Sequence, residues 1–88
     1  MSKFYFSNKN IIITGAADGL GKAISDELYD KRNNLFCVDI DEKKLKSLQI
    51  KNPSIKIFKT NLSNLKDTEN LIKELEKLNI KFDVLINC

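Results

Sequence analysis

All three glycines of this 88-residue chain fall in one stretch, Thr14-Gly15-Ala16-Ala17-Asp18-Gly19-Leu20-Gly21. Glycine has no Cβ, so it lets backbone approach a ligand closely and adopts positive φ without strain. A loop of this kind, set before a helix, turns unpaired N–H groups and the positive end of a helix dipole toward the approaching group. The chemistry that profits is phosphate binding. The spacing is G-x-x-x-G-x-G rather than the general dinucleotide fingerprint G-x-G-x-x-G.

Asp39 stands 24 positions after Gly15. An acidic residue about 20 positions beyond such a loop takes the hydroxyls of an adenosine ribose in doubly wound folds. A carboxylate accepts two hydrogen bonds from a vicinal diol and repels a 2′-phosphate. The alternative is an N-cap for the next helix, which Asp41 fills equally well. Lys22 sits in the first helical turn, near a bound pyrophosphate or simply solvated. There is no histidine, and Cys37 and Cys88 have no metal spacing or disulfide framework. Metal sites and histidine-based nucleophile chemistry are therefore not expected.

These residues need elements to position them. Asn10–Thr14, "NIIIT", is almost continuously apolar and β-branched, as a strand buried on both faces should be. Leu20 to about Lys31 reads as a helix with Ala23, Ile24, Leu28 and Tyr29 on one face. Leu35–Asp39 is a second strand. Asp41 to about Gln49 is a charged helix with Leu45 and Leu48 inward. Ile55–Phe58 is a third strand. Ser63 is the expected N-cap of a helix carrying Leu65, Thr68, Leu71, Ile72, Leu75 and Leu78 at three- and four-residue steps, with Glu69 and Lys73 placed for an i,i+4 pair. Phe82–Asn87 is a fourth strand. The order βαβαβαβ predicts an α/β fold with a doubly wound parallel sheet, right-handed crossovers and strand order 3-2-1-4.

Composition narrows the class. The chain is 42% apolar and 31% charged, with a net charge of +3. That is the balance of a globular domain, and its lysines are interleaved with acids rather than gathered into a nucleic-acid patch. No apolar run approaches the roughly 20 residues of a membrane span, and "MSKFYFSNKN" has no signal-peptide core. A cytoplasmic protein without nucleic-acid or membrane partners is expected.

The loop Thr14-Gly15-x-x-x-Gly19-x-Gly21 resembles the signature of the short-chain dehydrogenase/reductase family. The preceding "IIIT" and the following "GLGKAIS" agree, and "VLINC" resembles the start of the family's Asn-Asn-Ala-Gly motif. The resemblance covers essentially the whole chain but only the first half of a family member, so residues 1–88 are expected to be the N-terminal half of a Rossmann dinucleotide-binding domain. It implies cofactor-binding roles for Thr14, Gly15, Asp18, Gly19, Leu20, Gly21, Asp39, Asn61, Leu62 and Asn87. Asn61-Leu62 stands where the family usually has an Asp and an aliphatic residue near adenine. The alternative for Asn61 is a turn residue before Ser63. Asn87 matches the motif's first Asn, which steadies the sheet and lines the cofactor site, or it simply ends a strand.

In the family, a Tyr activated by a Lys handles the proton and a Ser orients the carbonyl or alcohol. A neighbouring ammonium favours the phenolate, making it a usable base. Those residues lie well beyond the fourth strand, and Tyr29 and Lys31 do not form the Tyr-x-x-x-Lys pattern, so no catalytic residue is assigned. The resemblance implies an oxidoreductase passing hydride between a nicotinamide cofactor and an alcohol or carbonyl, represented here by its cofactor-binding part. A homo-oligomer is implied for the full-length form, because the family's dimer elements lie in the second half. The alternative is a stand-alone nucleotide-binding module; an S-adenosylmethionine domain fits Thr14 and "VLIN" poorly. NAD is expected over NADP. Asp39 opposes a 2′-phosphate, Ile40 offers no charge there, and Asp18 replaces a basic residue that NADP-preferring members carry.

Overall fold

The computed structural model describes residues 6–88, so the first aromatics of the chain fall outside the described residues. Four parallel strands, β1 (Asn10–Thr14), β2 (Asn34–Asp39), β3 (Lys56–Lys59) and β4 (Val84–Asn87), form one sheet in the order β3-β2-β1-β4. The connecting helices are α1 (Gly19–Tyr29), α2 (Glu42–Lys51) and α3 (Leu65–Lys77). This is the Rossmann-like α/β order anticipated from the sequence.

β1 lies inside the sheet, between β2 and β4, and its isoleucines supply much of the core. Ile11 and Ile13 are fully buried against Ile24 and Leu28 of α1 and Leu45 and Leu48 of α2. Each such side chain contributes about 1.5–3 kcal/mol when fully removed from water. On the other face Phe36 meets Phe82 edge-on at 4.9 Å and stacks with Phe58 at 6.5 Å between ring centroids. The buried Asn33 is fully bonded. Its Oδ1 accepts from the Lys9 N–H, and its Nδ2 donates to the carbonyls of Phe6 and Leu28. It ties the entry to β1 to the end of α1.

Several boundaries and faces differ from the sequence reading. α1 starts at Gly19 and ends at Tyr29, and its buried face carries Ser25 in place of Ala23, which is exposed. Ser25 is tolerated inside because its hydroxyl donates to the Gly21 carbonyl at 2.8 Å. The α3 cap is Asn64, whose Oδ1 accepts from the Asp67 N–H, and not Ser63. "NLSN" offers two caps, and the Ser63 N–H is already taken by Asn61 Oδ1. Glu69 and Lys73 make no ion pair; the i,i+4 pair present is Glu42–Lys46. β4 starts only at Val84, because Asp83 instead closes a pair of hydrogen bonds with Asn10: the Asp83 N–H donates to its carbonyl, and the Asp83 carboxylate accepts from its N–H.

The α3 stripe is only partly used. Leu71 is buried, whereas Leu65 (75%) and Ile72 (51%) are exposed, as is Leu85 on β4 (66%). β3 and β4 are both open sheet edges. Unpaired edges and apolar patches recruit other chains. The 88-residue polypeptide is therefore expected to self-associate, with light scattering showing mass that grows with concentration. A monodisperse monomer at high concentration would contradict this.

Candidate cofactor-binding site

The loop after β1 reaches α1 through two glycines with positive φ, Gly15 (+62°) and Gly19 (+54°). The glycines do not share one task, as the sequence reading assumed. A Cβ on Gly15 would lie 2.6 Å from the Cys88 carbonyl oxygen, and one on Gly21 would lie 1.8 Å from the Gly15 carbonyl oxygen. Those two make room for the protein's own backbone. At Gly19 a Cβ would meet nothing within 4 Å. Only this glycine has room for a side chain.

Asp18 caps α1 by accepting from the Gly19 N–H at 2.9 Å. Among the described residues, the Leu20 and Gly21 N–H groups have no hydrogen-bond partner. They are the free donors that a helix start leaves over. Lys44 of α2 reaches Asp18 at 2.6 Å. That hydrogen bond, with the one from Gly19, holds the Asp18 carboxyl below its ordinary value, and the same contact raises the Lys44 ammonium.

Asp39 ends β2 beside the loop. Its Oδ2 accepts from the Ala17 N–H at 3.1 Å and its Oδ1 from the Asp41 N–H at 3.0 Å. Asp41, not Asp39, caps α2 through the Lys44 N–H. Each carboxylate oxygen of Asp39 keeps a further acceptor position. A groove of about 260 Å³ lies against it, lined also by Gly15, Ile40, Thr60, Asn61 and Leu62. A second groove of about 230 Å³, on the α1–α2 side, is lined by Ala17, Asp18, Lys22 and Lys44 among others.

The predicted residues thus fall into neighbouring groups. Gly15, Asp39, Asn61 and Leu62 share the first groove, Asp18 borders the second, and Gly19, Leu20 and Gly21 open α1. Thr14 and Asn87 lie opposite each other at the ends of β1 and β4, and the Thr14 hydroxyl donates to Asn87 Oδ1 at 2.5 Å. Asn61 also makes the turn that was its alternative role, through Ser63. The donor set suits a dinucleotide: an open glycine, free amides at a helix start, and a fixed carboxylate over a groove.

Sequence reasoning missed Lys44, which lies 26 positions from its partner Asp18 and has no local signal. It also passed over Tyr5 and Lys9, which stand at Tyr-x-x-x-Lys spacing. Tyr5 is outside the described residues. Lys9 directly precedes β1, at the sheet end opposite the loop. Cys37 is no nucleophile candidate, since burial pushes its thiol up to about 12.

Residues 9–88 match the family model described as short chain dehydrogenase. The chain belongs to the short chain dehydrogenase family. Among family relatives, a short chain dehydrogenase/reductase of Gibberella zeae is 32% identical over 84 residues, covering 92% of this chain and 31% of the relative. The 3-oxoacyl-(acyl-carrier-protein) reductase FabG of Rickettsia bellii is 36% identical over 77 residues, covering 84% of this chain and 31% of the relative. The structure of a 4-hydroxyisoleucine dehydrogenase complexed with NADH superposes with a TM-score of 0.80 at 28% identity, over 89% of this chain and 32% of that one. The short chain dehydrogenase sequence in hand therefore spans about a third of the length of these relatives. Members of the family are NAD(P)-dependent oxidoreductases. No helix of the described residues is long and apolar enough to cross a membrane.

Proposed function

We propose that residues 1–88 form the dinucleotide-binding N-terminal half of an NAD-dependent oxidoreductase that passes hydride between the nicotinamide and a small alcohol or carbonyl. The observation that carries this reading is the open space at Gly19 beside the free amides of α1, with the Asp39 carboxylate at the adjoining groove. In this reading Gly19, Leu20 and Gly21 face the pyrophosphate, and Thr14 and Gly15 shape the turn beneath it. Asp39 accepts from the adenosine ribose, and Asp18 sits beside it. Asn61 and Leu62 flank the adenine, and Asn87 lines the far side. The NADH complex of the 4-hydroxyisoleucine dehydrogenase supports the choice of ligand class. The bound cofactor supplies the hydride chemistry, while this chain's residues hold its adenosine half. The protein is expected to act as a homo-oligomer in the cytoplasm.

Two experiments test the reading. Purified protein titrated with NADH and, separately, with S-adenosylmethionine is expected to bind the first and not the second; the reverse would overturn the assignment. The 88-residue polypeptide assayed alone is expected to show no nicotinamide-dependent turnover on alcohols or ketones. Activity that co-purifies with it and is lost in Gly19→Val would place chemistry within these residues after all.

A further inference from the structure

Lys44 lines the second groove together with Asp18 and Ala17. It rises from the first turn of α2, directly after the Asp41 cap, and crosses to Asp18 on the loop before α1. Ala17 lines the same groove as Lys44, and its amide holds Asp39. Asp39 and Asp41 also act on the Lys44 ammonium through space, and Lys22 acts on Asp18. Of these carboxylates, Asp18 alone holds the Lys44 ammonium by direct contact. Asp39 is the residue assigned above to the ribose hydroxyls, and the following argument rests on that assignment.

A lysine ammonium is a compact charge on a flexible stem with three donors, and it binds phosphate as a point charge. From the groove that borders Ala17, whose amide holds Asp39, Lys44 is chemically equipped to receive a 2′-phosphate. We propose that the Asp18–Lys44 ion pair is a cofactor-specificity device: Asp18 sequesters Lys44, and Lys44 released from Asp18 favours a 2′-phosphorylated dinucleotide. Asp18 then opposes NADP twice, by its own charge and by occupying the α2 cation that reaches the loop before α1. Nothing in the local sequence of either residue marks them as partners; only the parallel pairing of β1 and β2 brings the two helix starts together.

The test is a double-substitution cycle on the purified protein, with NADH and NADPH affinities read from the fluorescence of the reduced nicotinamide. Asp18→Asn keeps the α1 cap, since Asn caps as well as Asp. It is expected to shift the NADPH/NADH affinity ratio toward NADPH by about tenfold, the scale of a charge-assisted phosphate contact. Adding Lys44→Gln to it should abolish most of that shift. Raising ionic strength should shrink the shift, because both groups are exposed. Lys46→Gln, which removes the same charge one turn along α2, should leave the ratio unchanged. A shift that persists in the Asp18→Asn/Lys44→Gln protein overturns the proposal, because the charge of Asp18 alone then accounts for it. Wild-type protein that binds neither dinucleotide sinks the cofactor assignment itself, and this device with it.

Discussion

Gly21→Ala is expected to destabilise the domain by about 3 kcal/mol or more, the upper range for overpacking into a site that does not yield. The added methyl would lie 1.8 Å from the Gly15 carbonyl oxygen, 2.7 Å from its carbon and 3.1 Å from the Ala16 Cα. All three are backbone atoms, so no side-chain rotation relieves the clash. α1 must lift off the loop, and the buried contacts of Ile24, Ser25 and Leu28 go with it. Gly19→Ala meets open space instead and carries only the cost of a left-handed residue, about 1–2 kcal/mol. Its larger effect should fall on binding, with NADH affinity reduced about tenfold or more, equivalent to about 1.4 kcal/mol. Urea melts and NADH titrations of both variants separate the two roles. A Gly21→Ala protein that melts like the wild type would mean that α1 does not sit against the loop as described. Equal losses of stability in the two variants would remove the reason to place the ligand at Gly19.

The second expected result is a preference for NAD(H) over NADP(H) of tenfold or more that narrows in Asp39→Ala. Asp39 lies at the groove with both oxygens oriented by backbone N–H groups, so it cannot swing away from an incoming charge without losing them. A carboxylate about 4 Å from a phosphate charge costs on the order of 4 kcal/mol at an effective dielectric of 20. Reduced severalfold by water and rearrangement, that still leaves about tenfold discrimination, since about 1.4 kcal/mol is a factor of ten. Ile40 lines the same groove and adds no compensating cation. Asp39→Ala should also loosen the loop, because the Ala17 and Asp41 amides lose their acceptor; comparison with Asp39→Asn, which keeps one oxygen, isolates the charge. Wild-type preference for NADP(H) would sink the assignment. An unchanged ratio in Asp39→Ala would reduce Asp39 to a clamp on the loop.

Where the sequence was readable, the reason is local. The run of isoleucines in β1, the glycine loop and the charged α2 with its two inward leucines each state their structure within a few residues. The sheet order followed from the alternation of elements and the handedness of parallel crossovers. Misreadings arose where two local options compete. Ser63 and Asn64 both offer a cap, and the Asx turn at Asn61 decides between them. Ala23 and Ser25 both border the α1 face, and the hydrogen bond to Gly21 lets the polar one go inside. The tasks of the glycines were not legible at all, because Gly21 is constrained by the Gly15 carbonyl and Gly15 by Cys88, contacts that exist only after the chain has folded back. The Lys44–Asp18 pair was hidden for the same reason.

The register of β1 also sets the order in which this domain can form. β1 meets β2 through the α1 crossover, with Asn10 and Asn34 24 residues apart, but Thr14 and Asn87 are separated by 73 residues. Contacts of high sequence separation form late, because closure entropy must be met before they reward it. On a ribosome, β1, α1 and β2 can assemble while β4 is still unmade, leaving one side of β1 and the floor under Gly15 open until β4 emerges. The glycine loop is thus synthesised early but is locked only when β4, 73 residues later, pairs with β1.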